Sequence, residues 1–345
     1  MQMKAALFDS PGRMTVGQVE LAPCGPDDII VKVHACGICG SDVRNFRTGL
    51  KADVGAQVMG HEFTGTVTET GTAVTRFRPG DRVAVAPDVS CGSCYYCRRG
   101  LVNLCDHHRM IGTHWPGGFA EYVHLPKVVL EHGMVHPIPD GLSLDDAALS
   151  EPASSVLAAQ ENARVGLGDT VLVIGDGPIG CLHIETARAR GAARVIMAGL
   201  ARLSEAKRFE PDVLIDAGRQ DTVAEVLAAT GGLGADVAIV ATPVAATQAQ
   251  AVRAVRKRGV VVLFGGLPKS SPEATFDANR IHYGEITVVG AFSYPAYMHE
   301  KALATIAAGQ IHPGKYFNLI VGLDDIVEGF RAAAEGRALK VLVRP

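Results

Sequence analysis

The chain has 345 residues, with 33 Lys and Arg against 36 Asp and Glu, giving a formal net charge of −3. At 48% hydrophobic and 20% charged it has the composition of an ordinary globular protein, and its near-neutral balance lacks the basic excess of a dedicated nucleic-acid binder. The length predicts two domains, since domains commonly hold roughly 100–200 residues. The opening run Met1–Ser10 is too short in apolar residues for a signal peptide, and no stretch approaches the roughly 20 apolar residues that cross a bilayer. A cytoplasmic protein with a small-molecule ligand, and neither nucleic acid nor membrane as partner, is the expectation.

From Met1 to about Ser150 the chain reads as short β runs broken by Gly and Pro: Ile29–His34, Phe63–Val67, Arg82–Ala86 and Ala120–His124. This pattern predicts an antiparallel, β-rich, barrel-like domain. From about Leu157 apolar strands alternate with helix-length segments. The strands are Val171–Gly175, Arg194–Met197, Val213–Asp216, Asp236–Val240, Val260–Phe264 and Ile286–Gly290, with a helix such as Ile179–Arg190 between. Six apolar strands in this rhythm predict a doubly wound parallel sheet. Helices follow near His299–Ala308 and Leu323–Glu335, and Lys340–Arg344 reads as a strand that returns to the first domain.

Two counts stand out, 39 glycines and eight cysteines. Reduced cytosolic thiols call for a use other than disulfides. Four of them, Cys91, Cys94, Cys97 and Cys105, fall in a C-x2-C-x2-C-x7-C pattern. Two-residue spacers let one tight loop bring several thiolates to one tetrahedral zinc ion, and four thiolates leave no open position, so such an ion would be structural. Four plain reduced thiols and an iron–sulfur site are the competing readings. Cys24, Cys36 and Cys181 are left as structural thiols.

Two glycine-flanked turns, Gly37-Ile-Cys39-Gly-Ser41-Asp42 and Gly60-His61-Glu62, carry further ligand types. A catalytic zinc needs three protein ligands and one open position, and Cys, His and carboxylate all serve. Taken alone, a single Cys or His reads more simply as a packed core residue.

Val171-Leu-Val-Ile-Gly175-Asp-Gly177-Pro178-Ile179-Gly180 is G-x-G-x-x-G directly after an apolar strand and directly before a helix. In that setting the glycines allow a tight turn and a close approach to a pyrophosphate, which the helix N-terminus faces. Thr242 and Gly265 are further candidates for the cofactor. The pattern expects an acid at the end of the second strand to bind the adenosine ribose, but Gly199 stands there and Arg202 follows. With nothing at Gly199 to repel a 2′-phosphate, the choice between NAD and NADP leans to NADP.

Together these motifs resemble the zinc-containing medium-chain dehydrogenase/reductase superfamily, especially its sorbitol (polyol) dehydrogenase-like branch. The resemblance runs in order through Gly37–Asp42, Gly60–Glu62, the cysteine cluster, Glu151-Pro152 and the Gly175–Gly180 turn. It implies a GroES-like catalytic domain over 1–153 and 291–345 and a Rossmann dinucleotide-binding domain over 154–290. It also implies two zinc ions per chain and a homodimer or homotetramer. Cys39 and His61 match catalytic zinc ligands; Glu62 and Glu151 match carboxylates that bind the ion directly or through water. Ser41 matches the hydroxyl that takes the substrate proton. Many relatives carry a histidine three residues further on, but here that position is Arg44, which cannot act as a base at neutral pH.

The reading that results is a zinc-dependent, NAD(P)-linked oxidation of a secondary alcohol of a polyol, cyclitol or sugar alcohol to a ketone. The alternatives are a threonine-dehydrogenase-like amino-alcohol dehydrogenase and a non-catalytic dinucleotide-binding redox sensor. The loops Arg44–Phe46, His114–Trp115 and Phe292–Tyr297 are candidates to line the substrate pocket.

Overall fold

The computed structural model describes residues 1–50 and 55–345. These form two compact units, one of Met1–Ser154 with Tyr294–Pro345 and one of Ser155–Ser293. Among the described residues no helix is long and apolar enough to cross a membrane.

The first unit is built on a seven-stranded sheet whose centre is the strand Ile29–Gly37. Its pattern, with Val31 and Val33 buried and Lys32 and His34 exposed, is the period-2 alternation of a strand with one face in a core. It pairs antiparallel with Glu62–Thr70 and Tyr122–Leu125. The last strand, Lys340–Arg344, pairs with it through Leu342 opposite Gly37 and Val343 opposite Cys36. Chain start and chain end therefore close over one core that includes Ile29, Phe63, Val85, Phe119, Leu125 and Phe330.

The second unit is a six-stranded parallel sheet. Its spatial order is Val213–Asp216, Arg194–Gly199, Thr170–Ile174, Ala235–Val240, Val255–Leu263, Thr287–Gly290, which in chain order is the 3-2-1-4-5-6 of a doubly wound dinucleotide fold. Three of the inner strands, Arg194–Gly199, Thr170–Ile174 and Ala235–Val240, are buried along nearly all their length, as helices on both faces require. Thr287–Gly290 departs from the apolar expectation: it is an edge strand with one neighbour in its sheet and is largely exposed.

Two elements differ from the sequence reading. Gln2–Ser10 and Arg13–Glu20 form a hairpin ahead of the first expected strand. The segment after Cys39, read as a turn, is the helix Gly40–Thr48. Its run Ser-Asp-Val-Arg-Asn-Phe-Arg offers periodicity only Val43 and Phe46, three apart, which pack on the core. Its start is set instead by local hydrogen bonding: Cys39 is the N-cap, and Asp42 reaches back to the Cys39 N–H at 3.0 Å.

Candidate metal centres and nucleotide turn

Cys39 stands two residues past the end of the central strand, as the extended N-cap of the helix Gly40–Thr48. His61 enters from the neighbouring strand pair, held by Gly60 at φ +92, where an added Cβ would lie 2.9 Å from both Cys36 Sγ and the Phe119 ring. One buried carboxylate organises both. Asp42 takes the Cys39 N–H on Oδ2 and His61 Nδ1 on Oδ1 at 3.1 Å. A His that donates Nδ1–H to a carboxylate leaves Nε2 as a lone pair for a metal.

Glu62 begins its strand with the side chain fully buried. It lies where Gly37 has no side chain; a Cβ there would be 2.1 Å from Glu62 Oε2. Oε2 is paired with the buried ammonium of Lys340 at 2.5 Å, while Oε1 has no hydrogen-bond partner. Burial pushes the Lys340 amine down, but Glu62 outweighs it and holds it above its ordinary value.

Ligand atoms of Cys39, His61 and Glu62 all lie within 4.8 Å of one another. A thiol, an imidazole nitrogen and an unpartnered carboxylate oxygen converging at that spacing fit a zinc ion with one position left open. Glu151 is outside this group. Its Oε1 accepts the Tyr294 hydroxyl at 2.7 Å, and burial, with the Glu62 charge beside it, pushes its carboxyl up to about 7. Ser41, in the first helical turn, has Oγ 3.4 Å from His61 Nε2. Arg44 is exposed on the same helix. Of the three candidate pocket loops, the one around Phe292–Tyr297 supplies Tyr294 to Glu151, whereas His114 accepts a backbone bond from Met110 and Trp115 packs on the core.

Cys91, Cys94, Cys97 and Cys105 form a second group within the same 4.8 Å limit. Cys94 and Cys97 sulfurs are 3.4 Å apart and those of Cys91 and Cys97 3.9 Å. A single tetrahedral ion with bonds of about 2.3 Å needs sulfur–sulfur edges of about 3.8 Å, so the spacing suits one ion rather than a larger cluster. Backbone N–H groups point at the sulfurs, from Cys94 to Cys91 and from Cys91 and His107 to Cys105. Hydrogen bonds from Ser93 and Cys94 bring the Cys91 thiol down to about 6, toward the thiolate that a metal requires.

In the second unit the turn Gly175–Gly180 joins the strand Thr170–Ile174 to the helix Pro178–Ala189. Gly175 has φ +124, and a Cβ on Gly180 would fall 1.7 Å from the Gly175 carbonyl oxygen, so helix and strand meet at a distance only glycine permits. Gly177 caps the helix without a side-chain bond, Pro178 occupies its first turn and Ile179 is half-buried. The helix N–H groups are thus available to an anion. Thr242 packs between Gly175 and Gly265: its Cγ2 would lie 2.7 Å from a Cβ on the first and its carbonyl oxygen 2.4 Å from one on the second.

One part of this turn escaped the sequence reading. Gly199 was expected to leave nothing near it that repels a 2′-phosphate, but the Asp176 carboxylate lies against it. Asp176 Oδ2 accepts the N–H of Leu200 at 2.9 Å and of Arg202 at 2.5 Å. The signal was an acid at the variable position between the first two glycines. Asp42, Tyr294 and Lys340 escaped for another reason, since they matter through contacts and carry no motif of their own.

Residues 25–140 match the family model described as alcohol dehydrogenase GroES-like domain, and residues 178–308 match that of zinc-binding dehydrogenase. The D-arabitol-phosphate dehydrogenase of Enterococcus avium is 32% identical, over 99% of this chain and 97% of that protein. The sorbitol dehydrogenase of Bacillus subtilis is 30% identical over the same shares. A putative zinc-binding dehydrogenase from Sinorhizobium meliloti, solved bound to NADP, superposes with a TM-score of 0.92 at 34% identity and full coverage of both chains. Matches of this extent over both units mean that the chain belongs to the zinc-containing medium-chain dehydrogenase/reductase superfamily, in its sorbitol dehydrogenase-like branch, and is an NAD(P)-linked alcohol dehydrogenase.

Proposed function

We propose that the enzyme oxidises a secondary alcohol of a polyol, cyclitol or sugar alcohol to the ketone, with Cys39, His61 and Glu62 holding a catalytic zinc ion and Cys91, Cys94, Cys97 and Cys105 a structural one. When bound, zinc supplies Lewis acidity to the substrate hydroxyl and the nicotinamide serves as hydride acceptor. Ser41 Oγ, beside His61, takes the hydroxyl proton. Arg44 accepts no proton at neutral pH, so that side chain does not carry the proton onward.

The observation that carries the substrate class is Glu151. Its carboxyl is buried beside Glu62, and Tyr294 pins one oxygen. A fixed carboxyl of this kind offers acceptor positions to neighbouring hydroxyls, which suits a ligand carrying several of them. The polyol and sugar-alcohol substrates named for the Enterococcus and Bacillus relatives support the same class. The NADP lean has the NADP-bound Sinorhizobium relative in its favour and the Asp176 carboxylate against it. A cytoplasmic homodimer or homotetramer remains the expected form.

The test is metal content with turnover. Elemental analysis should find about two zinc ions per chain, and Cys39→Ala should lose one of them together with activity on a panel of polyols, inositols and amino alcohols. Turnover retained by Cys39→Ala removes the mechanism. Preference for amino alcohols selects the threonine-dehydrogenase-like alternative, and dinucleotide binding without turnover on any alcohol selects the redox sensor.

A further inference from the structure

We infer that Asp176, from inside the glycine turn, takes the place of the missing acid at the end of the second strand and makes the nucleotide pocket select an unphosphorylated adenosine ribose, hence NAD over NADP. The inference rests on the reading of Gly175–Gly180 as a dinucleotide turn.

In this fold the adenosine ribose hydroxyls meet a carboxylate at the end of the second strand. That position is Gly199, and it cannot hold a side chain here. A Cβ on Gly199 would lie 2.6 Å from Asp176 Cβ and 2.7 Å from its Oδ2. The space of the absent acid is filled by an acid that comes from the adjacent strand's turn instead.

Its placement is fixed. Asp176 is 7% exposed, and Oδ2 is held by the N–H groups of Leu200 and Arg202, the residues that lead away from the strand end. Neither of these bonds uses Oδ1, which is an acceptor for a hydroxyl. A second carboxylate lies at the same level: Gly199 is in register with Asp216, whose side chain accepts from Gly218 and lies 3.6 Å from the exposed Arg219. The cation within the loop after Gly199 is Arg202. Its backbone N–H serves to hold Asp176, and its buried Nε has no hydrogen-bond partner. A ribose 2′-hydroxyl donates to a carboxylate, while a 2′-phosphate brings like charge against it.

The experiment is calorimetric titration of the zinc-loaded enzyme with NAD+ and with NADP+. The parent should bind NAD+ more tightly by about tenfold or more, the scale of one unfavourable charge pair in a partly buried site. Asp176→Asn keeps an oxygen for the two N–H groups but removes the charge, and should shift the ratio of the two dissociation constants by about tenfold toward NADP+. Gly199→Ala, whose Cβ displaces the carboxylate, should move the ratio in the same direction and keeps the test open if Asp176→Asn folds poorly. Tighter binding of NADP+ by the parent, or an unchanged ratio in both variants, overturns the inference while leaving the dinucleotide turn intact. Failure of the parent to bind either nucleotide overturns both.

Discussion

Replacing Lys340 by Met separates the contribution of its ammonium from that of the metal beside the same carboxylate. Lys340 is 5% exposed and Glu62 fully buried, with Nζ 2.5 Å from Oε2 and 3.4 Å from the Ile38 carbonyl. Methionine fills nearly the same volume with an apolar chain, so the cavity cost is small. What remains is a buried carboxylate with neither oxygen paired. Removing one partner of a buried ion pair costs about 3–5 kcal/mol, because the other charge stays desolvated. A zinc ion held by Cys39, His61 and Glu62 would compensate that charge from the other side, so the zinc-loaded variant should lose at most about 2 kcal/mol. Urea unfolding can be followed by the fluorescence of Trp115, the chain's single tryptophan, which packs on the core of the same unit. Midpoints and slopes should be compared for parent and variant, each with zinc and after chelation. If the chelated variant is as stable as the chelated parent, the ion pair is not what neutralises Glu62. If zinc fails to narrow the difference, Glu62 does not face the metal.

Two further outcomes concern the second unit. His183 is fully buried in the helix Pro178–Ala189, with Nδ1 facing the Gln160 amide at 3.2 Å, and burial holds its imidazole down to about 3. Its folded value lies below its unfolded one, so the unfolded chain takes up the proton first and stability falls as pH drops from about 6.5 toward about 3. The loss from this group should reach roughly 2–3 kcal/mol by about pH 4.5, and His183→Gln, followed by circular dichroism, should lack that share of the slope; equal slopes in parent and variant would show that the imidazole ionises in place. At the glycine turn, Gly180→Ala sets a Cβ 1.7 Å from a backbone oxygen and should lower the melting temperature sharply, whereas a Cβ on Gly177 meets nothing within 4 Å. Gly177→Ala should therefore keep the fold yet weaken dinucleotide binding by about tenfold, through lost approach to the pyrophosphate. Undiminished binding there would mean that the phosphates lie elsewhere.

The second unit was legible because its signals are local. Apolar strands at regular intervals and a G-x-G-x-x-G between strand and helix each sit within a short window, and the fold leaves them as neighbours. The helix Gly40–Thr48 was not legible, because its apolar face is reduced to Val43 and Phe46 and its start depends on an Asp42 bond that spacing does not announce. The cysteine cluster lies between these cases: its spacing names a metal, but the sulfur separations are what favour one ion over a cluster.

The residues that sequence reasoning missed share one physical trait. Cys39, His61, Glu62 and Glu151 have ligand chemistry of their own, so in combination, and with the family's motifs beside them, they could be nominated from the sequence. Asp42, Tyr294 and Lys340 act by fixing another group and Asp176 by filling the space at Gly199, and their importance exists only once the chain has brought them there. Tyr294 reaches Glu151 across 143 positions, and Lys340 reaches Glu62 only because the last strand pairs beside Gly37. Gly37 and Gly199 are the reciprocal trace of this arrangement, since each is small where the acid from another segment needs its space. A glycine that faces a buried carboxylate, rather than one that bends a turn, therefore points to the side chain that matters.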